Sequence, residues 1–307
     1  MRQYNVDHNN ILHYYGNDIG GFYQDWKTPF DAILEYLCKV DNAFGDGLAL
    51  ELSPFLKVMS QNARINHQEK LSPLERATLK GILDQALHSV DERRDQYIAQ
   101  NNNDVVEYEW ARQSLESMRL AEHYYDNYLQ QCQPETSKFA GLSGREIAMH
   151  RNTLWAMKQR RLQGVTLRVI VIHHVVHTKM QTQYQEEPWG FFTPAGEMLR
   201  QSLGNQYFVI GMAYGGGEYW QAWQKGRSAR KRNPIPAAHD DGLEATLEQV
   251  GQKSFFLPWD HATPQAQPWL NSLCSVREND YFLTIRPLEW NACIFIDEAY
   301  PATPVVE

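Results

Sequence analysis

The feature that most constrains this chain is a near-continuous apolar run, Leu167-Arg168-Val169-Ile170-Val171-Ile172, which passes directly into His173-His174-Val175-Val176-His177. An unbroken run rich in β-branched residues predicts a strand covered on both faces, the pattern of parallel sheets flanked by helices. Comparable runs follow at Tyr207-Phe208-Val209-Ile210-Gly211, near Phe255-Phe256-Leu257, and at Ala292-Cys293-Ile294-Phe295-Ile296, with a helix expected from Pro194 to Leu203. Near the start, Ile11 to Tyr15 reads as a short strand that turns at Gly16-Asn17-Asp18. Helices alternating with buried strands imply an α/β fold with a mostly parallel sheet.

The middle of the chain has a different period. Ser72-Pro73-Leu74-Glu75 is a helix start in which Ser72 caps, Pro73 suits the first helical position and Glu75 closes a capping box. The apolar face then runs through Leu79, Leu83, Leu87 and Val90. After Asn101-Asn102-Asn103, a second helix carries Ala111, Leu115, Met118, Tyr125 and Leu129 on one face. A shorter helix is expected from Thr28 to Val40, on the stripe Phe30, Ile33, Leu34 and Leu37, and another from Ser143 to Arg160, where Ser143 and Glu146 form a second capping-box signature. The organisation expected is an α/β core over residues 1–42 and 143–307, with 43–142 inserted as a long antiparallel helical hairpin.

Composition narrows the function classes. A formal charge of -8 argues against a nucleic-acid binder, which needs a concentrated positive face. The basic cluster Lys225, Arg227, Arg230, Lys231 and Arg232, beside Pro234 and Pro236, reads as a solvated loop. Cys38, Cys132, Cys274 and Cys293 are widely spaced and form no Cys-x-x-Cys pair, so reduced thiols fit better than a disulfide framework or a thiolate zinc site. No signal-peptide pattern and no run of about 20 apolar residues is present, so the expectation is a soluble cytoplasmic chain with no membrane partner.

The histidines end the predicted strand, at the carboxyl edge where open α/β sheets hold ligands. Imidazole suits that place because it can accept and return a proton near neutral pH. The bland alternative is that one or two of the three simply hydrogen-bond within the core. No His-Glu-x-x-His helix supports zinc and no Gly-x-Ser-x-Gly elbow supports a serine hydrolase. Gly215-Gly216-Gly217 lacks the lysine of a phosphate loop and continues as Glu218-Tyr219-Trp220, more like a strand than a helix start. On the helix from Ser143, Arg145, Met149 and Asn152 fall at i, i+4 and i+7, with Trp155 close behind. Arg145 there is either a functional charge or a structural arginine paired with a buried carboxylate.

Taken in order, these segments resemble the erythromycin esterase family. The family helix Arg-Asp-x-x-Met-Ala-x-Asn-x-x-Trp is echoed by Arg145 to Trp155, with Glu146 for the aspartate and His150 for the alanine. The family His-Asn-x-His is similar to His174-Val175-Val176-His177, with Val175 replacing the asparagine. Gly196-Glu197-Met198-Leu199 and Tyr207 to Gly211 resemble a glycine-leucine helix and a Tyr-x-Val-Ile-Gly strand. Trp290-Asn291-Ala292, Pro301-Ala302-Thr303-Pro304 and Tyr14-Tyr15-Gly16-Asn17-Asp18 match in the same order.

The resemblance implies hydrolysis of a carboxylic ester or macrolactone by histidine-assisted water attack, with no metal or other cofactor. His174 and His177 are then the catalytic residues, while Arg145, Asp18, Asn152 and Trp189 bind or orient substrate and Phe191 and Phe192 extend an apolar wall. Two family features have no counterpart: an opening strand with Gly-Glu-x-x-His, whose histidine serves as general base, and a second strand ending in glutamate. On the resemblance the chain starts after them. The alternative expectation is therefore a truncated or non-catalytic member that keeps only a small-molecule cleft, whose unpaired sheet edge would favour self-association.

Overall fold

The computed structural model describes residues 13, 15–19, 26–59, 63–131, 140–164, 168–180, 193–220, 232–278 and 281–301. These fall into two compact units, one of residues 1–173 and 182–198, the other of 174–181 and 199–307. Among the described residues no helix is long and apolar enough to cross a membrane.

The first unit is helical. It contains α1 (Lys27–Val40), α2 (Asn42–Met59), α3 (Ala63–Lys70), α4 (Pro73–Glu92), α5 (Arg94–Gln100), α6 (Val105–Gln131) and α7 (Ala140–Leu162). The start of α4 forms as its sequence dictates: Ser72 Oγ accepts from the Glu75 amide at 3.3 Å, and Glu75 Oε2 accepts from the Ser72 amide at 2.7 Å. The Ser72 hydroxyl also donates to Glu75 Oε2 at 2.6 Å, and this bond with the Ser72 amide bond holds the Glu75 carboxyl below its ordinary value. The stripes converge on one core in which Ile33, Leu37, Leu52, Leu79, Leu83 and Leu115 are fully buried. Each such side chain contributes about 1.5–3 kcal/mol of burial.

Both helices of the expected hairpin are present, as α4 and α6. In the structure α7 packs along α6 and groups with the helices. The helix also begins at Ala140, ahead of the expected cap at Ser143.

The second unit carries α8 (Val175–Thr178) and the end of α9 (Ala195–Leu203), followed by β1 (Ile210–Trp220), β2 (Arg232–Pro234), α10 (Leu243–Glu248), β3 (Ser254–Pro258), α11 (Gln267–Asn271), β4 (Cys274–Glu278), β5 (Tyr281–Ile285) and β6 (Ala292–Ala299). The main sheet has the order β2-β1-β6-β3, and α10 packs against β1 and β6. The α/β class stands, with a mixed sheet: β1 and β6 are parallel, whereas β2 and β3 run antiparallel to their neighbours. The β4–β5 pair forms a separate antiparallel ribbon.

Two glycines of β1 are dictated by contact. A Cβ on Gly211 would lie 1.9 Å from the ring of the buried Trp290. Gly217 has φ +116°, and a Cβ there would meet the Ala299 carbonyl oxygen at 1.9 Å. Gly215, Gly216 and Gly217 are thus strand residues. The strand expected at Tyr207 starts later because Asn291 occupies its first ladder position: Asn291 Oδ1 accepts from the Val209 amide at 2.7 Å, and the Asn291 amide donates to the Val209 carbonyl at 2.9 Å.

The expected strand over Leu167–Ile172 requires correction. Residues 165–167 lie outside the described residues, and 168–174 carry no strand. Ile170 and Ile172 are each 88% exposed rather than covered on two faces. β-branched residues fit a pleated surface, but a strand also needs a partner for its N–H and C=O groups, and no described strand supplies one here. Residues 13 and 15–19 likewise carry no strand, and the rest of that expected element, Ile11, Leu12 and Tyr14, lies outside the described residues. The basic cluster lies outside them too, apart from Arg232, which pairs with Glu218 at 3.6 Å. Cys38, Cys274 and Cys293 are free thiols, and burial pushes the last two up to about 12.

Candidate functional site

His174 and His177 belong to the second unit and are brought together by one helical turn. His174 is the N-cap of α8, where its Nδ1 accepts the Val176 amide at 3.3 Å and its carbonyl accepts the His177 amide at 3.0 Å. The x-x spacing between them puts the rings on one side of that turn, with centroids 6.2 Å apart. His174 is exposed and His177 only 6% exposed, so one ring faces solvent and the other the interior. With Nδ1 accepting, the neutral His174 ring carries its proton on Nε2. Beyond His177 the chain buries Lys179, whose Nζ lies 4.0 Å from the equally buried Glu289. Nothing in the spacing of Lys179 from the histidines marks it in the sequence.

The first unit assembles most of the other residues named from the sequence. Arg145 meets Asp18 through a fork, Nε to Oδ1 at 2.9 Å and Nη2 to Oδ2 at 2.6 Å. Burial opposes the guanidinium charge, but the Asp18 bonds and carboxylate outweigh it, and the net shift strengthens that charge. Asn152, one face along α7, donates from Nδ2 to the Asn17 carbonyl at 3.0 Å and accepts from Gln113 at 2.6 Å. Trp155 packs edge-on to Trp110 at 4.5 Å, and Tyr15 stacks on Trp110 at 5.8 Å. Trp189, Phe191 and Phe192 lie outside the described residues.

Asn17 is the connecting residue that the sequence does not single out. The Thr153 hydroxyl donates to the Met149 carbonyl at 2.7 Å, so it must accept from Asn17 Nδ2, 2.9 Å away. That orients Asn17 Oδ1 toward His173 Nε2 at 2.9 Å, making Nε2 the donor and leaving Nδ1 the basic nitrogen of a neutral ring. Glu146, expected to close a local cap, is fully buried instead, and its Oε2 accepts the Ala195 amide at 2.7 Å, capping the start of α9 with a carboxylate. Among the described residues, no three His, Cys, Asp or Glu side chains come together as a bound metal ion would require.

A family model described as erythromycin esterase matches residues 1–298. Three solved structures share the fold. A Bacillus cereus protein superposes with a TM-score of 0.77 at 17% identity, over 98% of this chain and 70% of its own. A succinoglycan biosynthesis protein gives 0.75 at 16% identity, over 97% and 68%. The open conformation of a histidine-to-asparagine mutant of the erythromycin esterase EreC gives 0.72 at 13% identity, over 92% and 68%. A search of curated proteins finds no match.

Proposed function

Because the chain belongs to the erythromycin esterase family, we propose that it is a hydrolase of a carboxylic ester or macrolactone, with proton transfer carried by His174 and His177. The observation that supports this reading is the pairing of the two rings on one turn, 6.2 Å apart, at the positions that match the family's histidine motif. Imidazole rings held this close can divide proton acceptance and hydrogen-bond donation between them. In the reaction, water oxygen bonds to the acyl carbon while a ring nitrogen takes the water proton. The tetrahedral oxyanion collapses, the acyl carbon–oxygen bond breaks, and the proton passes to the departing alkoxide. A linear ester gives an acid and an alcohol, and a lactone gives one hydroxy acid.

The histidines differ in what surrounds them, which assigns their roles in this reading. His177, buried two residues before Lys179, is the ring enclosed by the interior. His174, exposed and carrying its proton on Nε2, is the ring assigned in this reading to donate to a carbonyl oxygen. Within the helical unit, Asp18 fixes the plane of the Arg145 guanidinium. The test is mass spectrometry of products after incubation with a panel of carboxylic esters and macrolactones. Hydrolysis appears as products richer by one water, and binding of these compounds without any such product would replace the hydrolase reading with that of a binding protein.

A further inference from the structure

A cleft separate from the two histidines lies wholly within the helical unit. Along α6, Glu109, Arg112 and Glu116 recur at helical spacing, and along α7, Arg151, Trp155 and Lys158 do the same. These charged residues of the two packed helices line a cleft of about 540 Å³ together with Asp91 and Arg94. That volume is the size of a small-molecule site.

The charges in the cleft are layered. Glu109 and Glu116 form its floor, at 6% and 8% side-chain exposure, whereas Arg94, Arg151 and Lys158 stand at its rim at 45%, 50% and 55%. Each acid already holds a cation: Glu116 takes Arg151 at 2.8 Å and Arg119 at 3.1 Å, Glu109 takes Lys158 at 2.8 Å, and Asp91 takes Arg112 at 2.6 and 2.9 Å. A guanidinium has five donors and an ammonium three, so each pair positions a rim cation while using only some of its donors. The cations lining the cleft exceed the acids by one, on a chain of formal charge -8. Trp155 supplies a flat apolar wall, its Nε1 tied to the Glu109 carbonyl at 3.2 Å and its ring braced by Trp110.

We propose that this cleft binds an aromatic phosphate monoester or a compound of the same chemistry, with its ring against Trp155 and its anionic group paired by Arg151 and Lys158. The floor also leads to His173. Gln113, which lines the cleft, donates to Asn152, Asn152 donates to the Asn17 carbonyl, and Asn17 holds His173.

The experiment is calorimetric titration of the full chain with phenyl phosphate, with inorganic phosphate and phenol as separate arms. Saturable binding of phenyl phosphate, at least about tenfold tighter than either fragment alone, is expected from joining ring and anion in one ligand. Arg151→Glu with Lys158→Glu should weaken it by more than about a hundredfold, since two charge-assisted pairs are lost, while Lys27→Glu, an exposed charge outside the cleft, should leave it unchanged. Both rim positions are at least half exposed, so circular dichroism and melting should confirm that the double variant folds. Phenyl phosphate binding that is absent, that the rim variant retains, or that Lys27→Glu weakens equally would overturn the proposal.

Discussion

Arg145 grips Asp18 with two near-parallel hydrogen bonds, joining α7 to a residue 127 positions away. A fork of this kind depends on the planar guanidinium, so Arg145→Lys should lose it despite keeping the charge. Both partners are partly solvated, at 24% and 35% exposure, and water screens the pair. The expected loss is about 0.5–1.5 kcal/mol for Arg145→Lys or Asp18→Asn, read by urea denaturation, with no further loss when the two are combined.

The Glu146 carboxylate is the acceptor for a buried helix N-terminus. Glu146→Ala strands the Ala195 amide, and such an orphaned donor costs about 1–3 kcal/mol. Glu146→Gln keeps an acceptor and should cost less. Amide exchange at Ala195 distinguishes the two, accelerating strongly in the alanine variant and modestly in the glutamine one.

Glu116 links pH to stability. Burial pushes its carboxyl up, but Arg119 and Arg151 outweigh that and hold it below the ordinary value of 4.5. A depressed folded value means the contribution is full above the unfolded pKa and is lost as pH falls through the folded one. Denaturation midpoints measured from neutral to strongly acidic pH should therefore show a loss of stability that begins near the ordinary carboxylate range. Glu116→Gln should flatten that part of the profile.

His173 should be a single tautomer when neutral. The chain from Met149 through Thr153 and Asn17 fixes the donor on Nε2. Nitrogen-15 shifts of the ring should report protonated Nε2 and unprotonated Nδ1 at a pH where the ring is neutral, and Asn17→Ala should yield a mixture of tautomers.

The helices are legible in the sequence because their signals are local. Ser72, Pro73 and Glu75 mark the start of α4 within four residues, and the stripe from Leu79 to Val90 lies on one face whatever packs against it. Strands need a second segment, and there the pattern misleads: Val169 to Ile172 has strand composition but no described partner. The start of β1 is set by Asn291, 82 positions from Val209. Among the candidate residues, Arg145, Asp18 and Asn152 of one unit and His174 and His177 of the other are named through motif positions. Asn17 is not, because its role exists only once His173 and Thr153 are folded beside it.

The pairing of His174 and His177 is tested most directly by kcat on the best ester or lactone substrate, for the wild-type chain and for His174→Ala and His177→Ala shown by circular dichroism to be folded. Loss of a positioned proton-transfer group is expected to lower kcat by about 10²–10⁴-fold in each variant. Hydrolysis at the wild-type rate in both would contradict the assignment of catalysis to this pair.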